Sequence, residues 1–328
     1  MLRSAMQPIR AVTIPFFALV LMGYAAARRH VLRESAIPGL NAFVLYFALP
    51  AMLFRFGMTT PIAQLLNPVV LVVSLFASLG IVAFTLAVTL SPRVTLKDAA
   101  FGALVAAFPN TGFICVPLLT TLLGPAAAGP VICAMLTDLF VTTSLCIALA
   151  QAHEAAGQGA GTRAALTKAL AGALTNPLPW AIVASAGFSV LGWRLDGPMA
   201  AIVNMLADAA SPVALFTIGA VLWRAGQHAH TRTPPALYLP VAAIKLFAHP
   251  ALVLALAASA RALGAPIGAF EVTVLVLAAA LPSASNVSLL AERYGADNGR
   301  VARIILSSTA AVFVTFTLLA WALGARGA

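Results

Sequence analysis

The sequence predicts an all-α polytopic membrane protein: ten transmembrane helices in two inverted five-helix repeats, with the fourth and ninth helices broken. Three observations predict this. The 328 residues are 62% hydrophobic and 9% charged, with mean hydropathy +1.00, too apolar for a soluble domain. Ten apolar runs approach the length of about 20 residues that one crossing needs. Two of them are interrupted by polar, proline-bearing patches, Pro109-Asn110-Thr111-Gly112 followed by Pro117, and Pro282-Ser283-Ala284-Ser285-Asn286.

In order, the runs are 9–27, 37–56, 68–90, 99–123 and 127–150, then 176–193, 198–223, 236–259, 268–291 and 301–323. Ala25-Ala26-Ala27 at the end of the first also fits a signal-peptide cleavage site, which would leave nine spans. The basic cluster Arg28, Arg29 and Arg33 fits a retained cytoplasmic anchor better. A glycine-bearing linker at 153–174 separates residues 1–152 from 175–328. Because each half holds an odd number of spans, the two insert upside down relative to each other. Pro50-Ala51-Met52-Leu53-Phe54 in the second span matches Pro212-Val213-Ala214-Leu215-Phe216 in the seventh. Leu118-Leu119 and Leu289-Leu290 precede Gly124 and Gly295 by the same spacing. Together these matches point to an inverted repeat.

Charge sets the orientation. One side carries Arg3, Arg10, Arg55, Arg194, Arg261 and Arg326; the other carries twice as many basic residues, among them Arg93, Lys97, Arg163, Lys168, Arg224, Arg232, Arg293, Arg300 and Arg303. The richer side is expected in the cytoplasm, with the linker, and both termini outside it. The net charge of +10 is spread over short connections rather than gathered on one face, which argues against nucleic acid as a partner. Cys115, Cys133 and Cys146 lie within apolar runs without ligand spacing and read as small hydrophobes, implying neither a disulfide nor a metal site.

Proline has no amide to donate and its ring displaces the carbonyl four residues earlier, so Pro109, Pro117 and Pro282 are expected to break the helices and free the carbonyls of Val105, Phe113 and Ala278. Lipid supplies no partner for such groups. Paired broken helices point to a transporter's binding site. Asn110 and Asn286 each offer two amide donors to a carboxylate without burying a fixed charge, and Thr111, Ser283 and Ser285 add hydroxyls. The alternative is that these side chains only satisfy the freed carbonyls. Ionisable residues inside a membrane are functional candidates. Lys245, with His249 one turn later, either meets an anion or proton or snorkels to the nearer interface. Asp138 and Asp208, both in apolar runs, either titrate during transport or pair with Lys245. Arg55 and Glu271 read as interfacial; Asn41, Tyr46 and Asn204 read as interior polar groups; Phe43, Phe47 and Phe54 read as packing.

The run from Asn41 to Pro50, Pro109-Asn110-Thr111-Gly112-Phe113 with Pro117-Leu118-Leu119, and Pro282 through Asn286 to Ala291-Glu292-Arg293-Tyr294 resemble the auxin efflux carrier family nearly end to end. The resemblance implies a fold similar to bile-acid symporters and sodium/proton antiporters, in which the fourth and ninth helices unwind and cross near the midplane. It implies small organic acids as substrates, malonate or malate in bacterial relatives and indole-3-acetate in plant ones. Cys115 departs from the glycine frequent in bacterial relatives, and the central linker is too short for the regulatory region of the long plant members.

The expected function is secondary active transport of a small organic anion across the bacterial inner membrane by alternating access. No phosphate-cradling loop or cofactor motif is present, so protons, sodium or membrane potential would drive it. A sodium-coupled symporter of bile-acid type is the alternative, and a channel or receptor a weaker one. An intramembrane enzyme would need a His-Glu-x-x-His run or facing aspartates, and neither is seen. The expected partners are the substrate and the bilayer; a homodimer is left open.

Overall fold

The computed structural model describes residues 2–59, 67–158, 174–175, 177–228 and 233–325. These residues are helical, with no strand among them beyond isolated bridges. The helices are α1 (Leu2–Arg28), α2 (Glu34–Met58), α3 (Pro68–Thr89), α4 (Leu96–Ala107), α5 (Thr111–Leu123) and α6 (Pro125–Gln151), followed by α7 (Pro177–Leu191), α8 (Gly197–His228), α9 (Pro235–Ala262), α10 (Ala269–Ala279), α11 (Val287–Arg293) and α12 (Asn298–Ala322). Six of them, α2, α3, α6, α8, α9 and α12, are long and apolar enough to cross a membrane. The apolar stretches Thr13–Arg28, Thr111–Leu123, Pro177–Leu191 and Ala269–Ala279 are shorter. Outward faces carry Leu21, Met22, Phe76, Trp180 and Met205, exposed apolar side chains that suit lipid rather than water. The chain stays helical to Gln158, and most of the linker expected at 153–174, with Arg163 and Lys168, lies outside the described residues. So do Arg232 and Arg326.

Caps and prolines explain where helices start and where they widen. Asn67 caps α3, its side chain accepting from Val69 N at 2.9 Å, and Thr95 caps α4 through Asp98 N at 3.2 Å. Four π turns occur in the helices, Val44–Ala48, Thr111–Cys115, Asp138–Thr142 and Ile244–Ala248, the second of them opening α5. Three are followed two residues later by a proline, Pro50, Pro117 and Pro250. The missing amide and displaced carbonyl are absorbed by a wider turn instead of a break. In the fourth, hydroxyls take the released carbonyls: Thr143 Oγ1 donates to Asp138 O at 2.8 Å and Thr142 Oγ1 to Thr137 O at 3.5 Å. Pro117, expected from the sequence to break its helix, does not: it lies in the first turn of the α-helical segment Val116–Leu123.

Packing sorts the helices into two groups. α1, α2, α7 and α8 pack on one another, and α3, α4, α6, α9, α10 and α12 form a second bundle around the broken segments. α1 and α8 approach backbone to backbone: a Cβ on Gly23 would fall on the Phe216 carbonyl, and one on Gly219 on the Val20 carbonyl. Gly219→Val is expected to lower stability by about 1–3 kcal/mol; an unchanged midpoint in a thermal-unfolding assay in detergent would contradict this crossing. Arg300, expected in a cytoplasmic connection, is instead buried in the first turn of α12. Its Nε donates to Leu237 O and its Nη1 to Asp98 O, both at 2.8 Å. The starts of α4, α9 and α12 meet there, and carbonyls from two of them need a donor that lipid cannot supply.

Candidate functional site

The two proline-broken segments complete each other. Pro109 and Pro282 cannot donate, yet each break also leaves amides and carbonyls that no longer belong to a helix. The segments run antiparallel, with Asn110 N donating to Pro282 O at 2.8 Å and Ala284 N to Phe108 O at 3.0 Å, a one-pair bridge between Pro109 and Ser283. What water would satisfy in a soluble loop is satisfied here by the other break. Leu281 N donates to Ala278 O at 3.2 Å, and Lys245 Nζ to Ala279 O at 3.0 Å. Ser283 N meets Ser308 Oγ at 3.3 Å.

On one side of the bridge, between the two helix groups, lie adjoining cavities of about 100 and 30 Å³ that share Leu45, Phe113 and Asn286. Asn110, buried at 3%, opens α5: its Oδ1 accepts from Phe113 N at 3.3 Å, and among the described residues no acceptor takes its amide, which is left for the smaller cavity. Asn286 has no capping duty and is exposed on both cavities. Thr111 lines the smaller cavity with a buried, unpartnered hydroxyl, and Ser285 lines the larger. Ser283 differs from expectation: it faces Ser308 on α12, whose Oγ lies 3.4 Å from its own, and lines neither cavity. The larger cavity also holds Asn41 and Arg224, its one charged lining residue among those described. Sequence reasoning placed Arg224 among loop charges; its position at the end of α8, facing the crossover, has no local signature.

On the opposite side, inside the second bundle, Asp138 and Lys245 are buried at 2% and 0% exposure. Lys245 therefore does not snorkel. Its Nζ donates to Ala279 O and to His249 Nδ1, the latter at 2.9 Å, which leaves the imidazole proton on Nε2. Asp138 Oδ1 accepts from Ser78 Oγ at 3.2 Å and Thr142 Oγ1 at 3.3 Å. Asp138, His249, Ser74, Ser78 and Pro109 surround a cavity of about 20 Å³. Asp208 is not part of this cluster. Its side chain is 71% exposed and pairs with Arg55 at 2.7 Å, because its face of α8 turns toward α2 and outward. Tyr46 and Asn204, expected inside, are exposed as well. Sequence reasoning missed Ser74, Ser78 and Thr142, although the four-residue spacings of Ser74 to Ser78 and Asp138 to Thr142 put each pair on one helix face.

Such an arrangement can hold an anion on one side of the bridge, by neutral amides, a hydroxyl and one guanidinium, and titratable groups on the other. Residues 9–321 match the family model described as "Membrane transport protein". The chain is 29% identical over 314 residues, 95% of both proteins, to a Rhizobium meliloti (strain 1021) protein named "Putative malonate transporter". It is 26% identical over 290 residues, 86% of this chain and 87% of the other, to "Uncharacterized transporter YfdV" of Escherichia coli (strain K12), and equally to that of Shigella flexneri.

Proposed function

The chain belongs to the membrane transport protein family, of auxin-efflux-carrier type, and from that premise we propose that it is a secondary active transporter of a small organic anion. The observation that carries this reading is the pair of antiparallel breaks, with Asn110 and Asn286 presented on cavities between two helix groups. A carboxylate there trades its water for amide donors and the positive end of α5. Movement of one helix group against the other around this site would alternate access. Ten spans in two inverted repeats, insertion in a bacterial inner membrane and termini outside the cytoplasm belong to the same proposal. So does the substrate class, acids the size of malonate or malate, which the name of the Rhizobium relative supports.

Saturable, gradient-dependent uptake of labelled malonate into proteoliposomes is the expected result; unsaturable diffusive flux would contradict a transporter. Arg224 gives the larger cavity a place for a second carboxylate. Arg224→Gln is expected to raise the KM for dicarboxylates about tenfold, the loss of one charge-assisted hydrogen bond, while monocarboxylate uptake changes little. Equal effects on both substrate types would remove Arg224 from the site.

A further inference from the structure

The cluster behind the crossover has more polar capacity than the protein itself uses. Both hydroxyls that reach Asp138 reach the same oxygen, Oδ1, and among the described residues nothing donates to Oδ2. Ser74 Oγ on the same cavity is buried with no partner. A cavity of about 20 Å³, otherwise apolar but reached by Ser74, Ser78, Asp138 and His249, has room for about one water with polar partners. Lys245 and Asp138 feel each other's charge, yet no direct ion pair joins them among the described residues. Lys245 instead caps the carbonyl at the C-terminal end of α10, where a cation is favoured by the helix dipole, three residues before Pro282. Both charged residues sit on π turns, a distortion often found at functional sites.

We propose that Asp138 Oδ2 is a reversible proton site and that its occupancy sets anion affinity across the bridge, so that anion and proton cross together. The proposal rests on the anion-transporter reading above. The titratable groups facing the cluster are Asp138, Lys245 and His249, with the thiols of Cys115 on α5 and Cys146 on α6; α3, α10 and the bridge present no charge to it. With Asp138 ionised, it compensates Lys245 and the cluster is neutral. A proton arriving through the water-sized cavity makes Asp138 a neutral carboxyl and leaves the Lys245 ammonium uncompensated. That positive charge is held on the Ala279 carbonyl, three residues before the break at Pro282, and it tightens the hold on an anion. By reciprocity the bound anion tightens the hold on the proton. When the proton leaves to the other side, the anion is released with it. A sodium ion fits less well, because the Lys245 ammonium already places a positive charge beside the same space.

The test uses the full chain in proteoliposomes with labelled malonate. An inward proton gradient should drive accumulation, a sodium gradient should not, and a trapped pH dye should report protons entering with malonate. Asp138→Asn, which keeps an acceptor for Ser78 and Thr142, should still exchange labelled for unlabelled malonate but lose proton-driven accumulation by at least about tenfold. Uptake of half-protonated malonate would survive that substitution, and would overturn the proposal. Accumulation driven by sodium, or malonate entry without dye response in the unaltered protein, would also overturn it, even if Asp138→Asn failed to fold. Absence of exchange in the unaltered protein would overturn the anion reading itself.

Discussion

Asn286→Ala should reduce malonate uptake about 10- to 100-fold without lowering thermal stability. A hydrogen bond to a charged partner is worth about 1.5–3 kcal/mol, and its loss leaves the carboxylate underpaired. Asn286 caps no helix and faces both cavities, so only ligand binding should suffer. Asn110→Ala should lose a similar amount of uptake and also about 1 kcal/mol of stability, because its Oδ1 caps α5. The contrast separates ligand contact from satisfaction of freed backbone, the two readings the sequence left open. Uptake unchanged in both variants would mean that the asparagines serve the backbone alone.

Lys245→Ala should be the most destabilising single change near the crossover. It orphans Ala279 O and leaves Asp138 without the nearby ammonium, each a buried group left unpaired at about 1–3 kcal/mol. Adding Asp138→Asn should restore part of the loss, since the stranded charge is then gone. Thermal unfolding of the two single variants and the double variant in detergent gives the coupling between the sites. Additive losses would show that the two residues do not sense each other.

The apolar runs anticipated an all-helical chain, six of whose described helices are long and apolar enough to cross a membrane, because lipid enforces length and hydropathy directly. The proline patches located both breaks for the same reason: Pro109 and Pro282 lack a donor wherever they lie. What a single patch could not show was its partner. That Phe108 O is satisfied by Ala284 N depends on residues 176 positions apart in the chain. The outcome at Pro50, Pro117 and Pro250 was equally hidden, since a helix can answer a proline by stopping or by widening, and neighbouring packing decides. Asp138 and Asp208 looked alike in sequence, each an acid in an apolar run. Only the direction of each helix face separates a carboxylate inside the second bundle from one paired with Arg55 at an exposed surface. Ser283 and Ser285 show the same limit within one patch, two residues apart and facing different elements.

The most direct measurement of the central claim is protection of the crossover cavity by substrate. Cys115, Cys133 and Cys146 are buried, so a charged thiol reagent should react chiefly with an introduced cysteine. Asn41→Cys places a thiol on the cavity shared by Asn286 and Arg224, and Ile14→Cys places one in the apolar groove between α1 and α12. Saturating malonate should slow labelling at position 41 about tenfold or more, as mass action predicts for an occupied site, and leave position 14 unchanged. Equal labelling rates at position 41 with and without malonate, in protein that still takes malonate up, would show that the anion binds elsewhere.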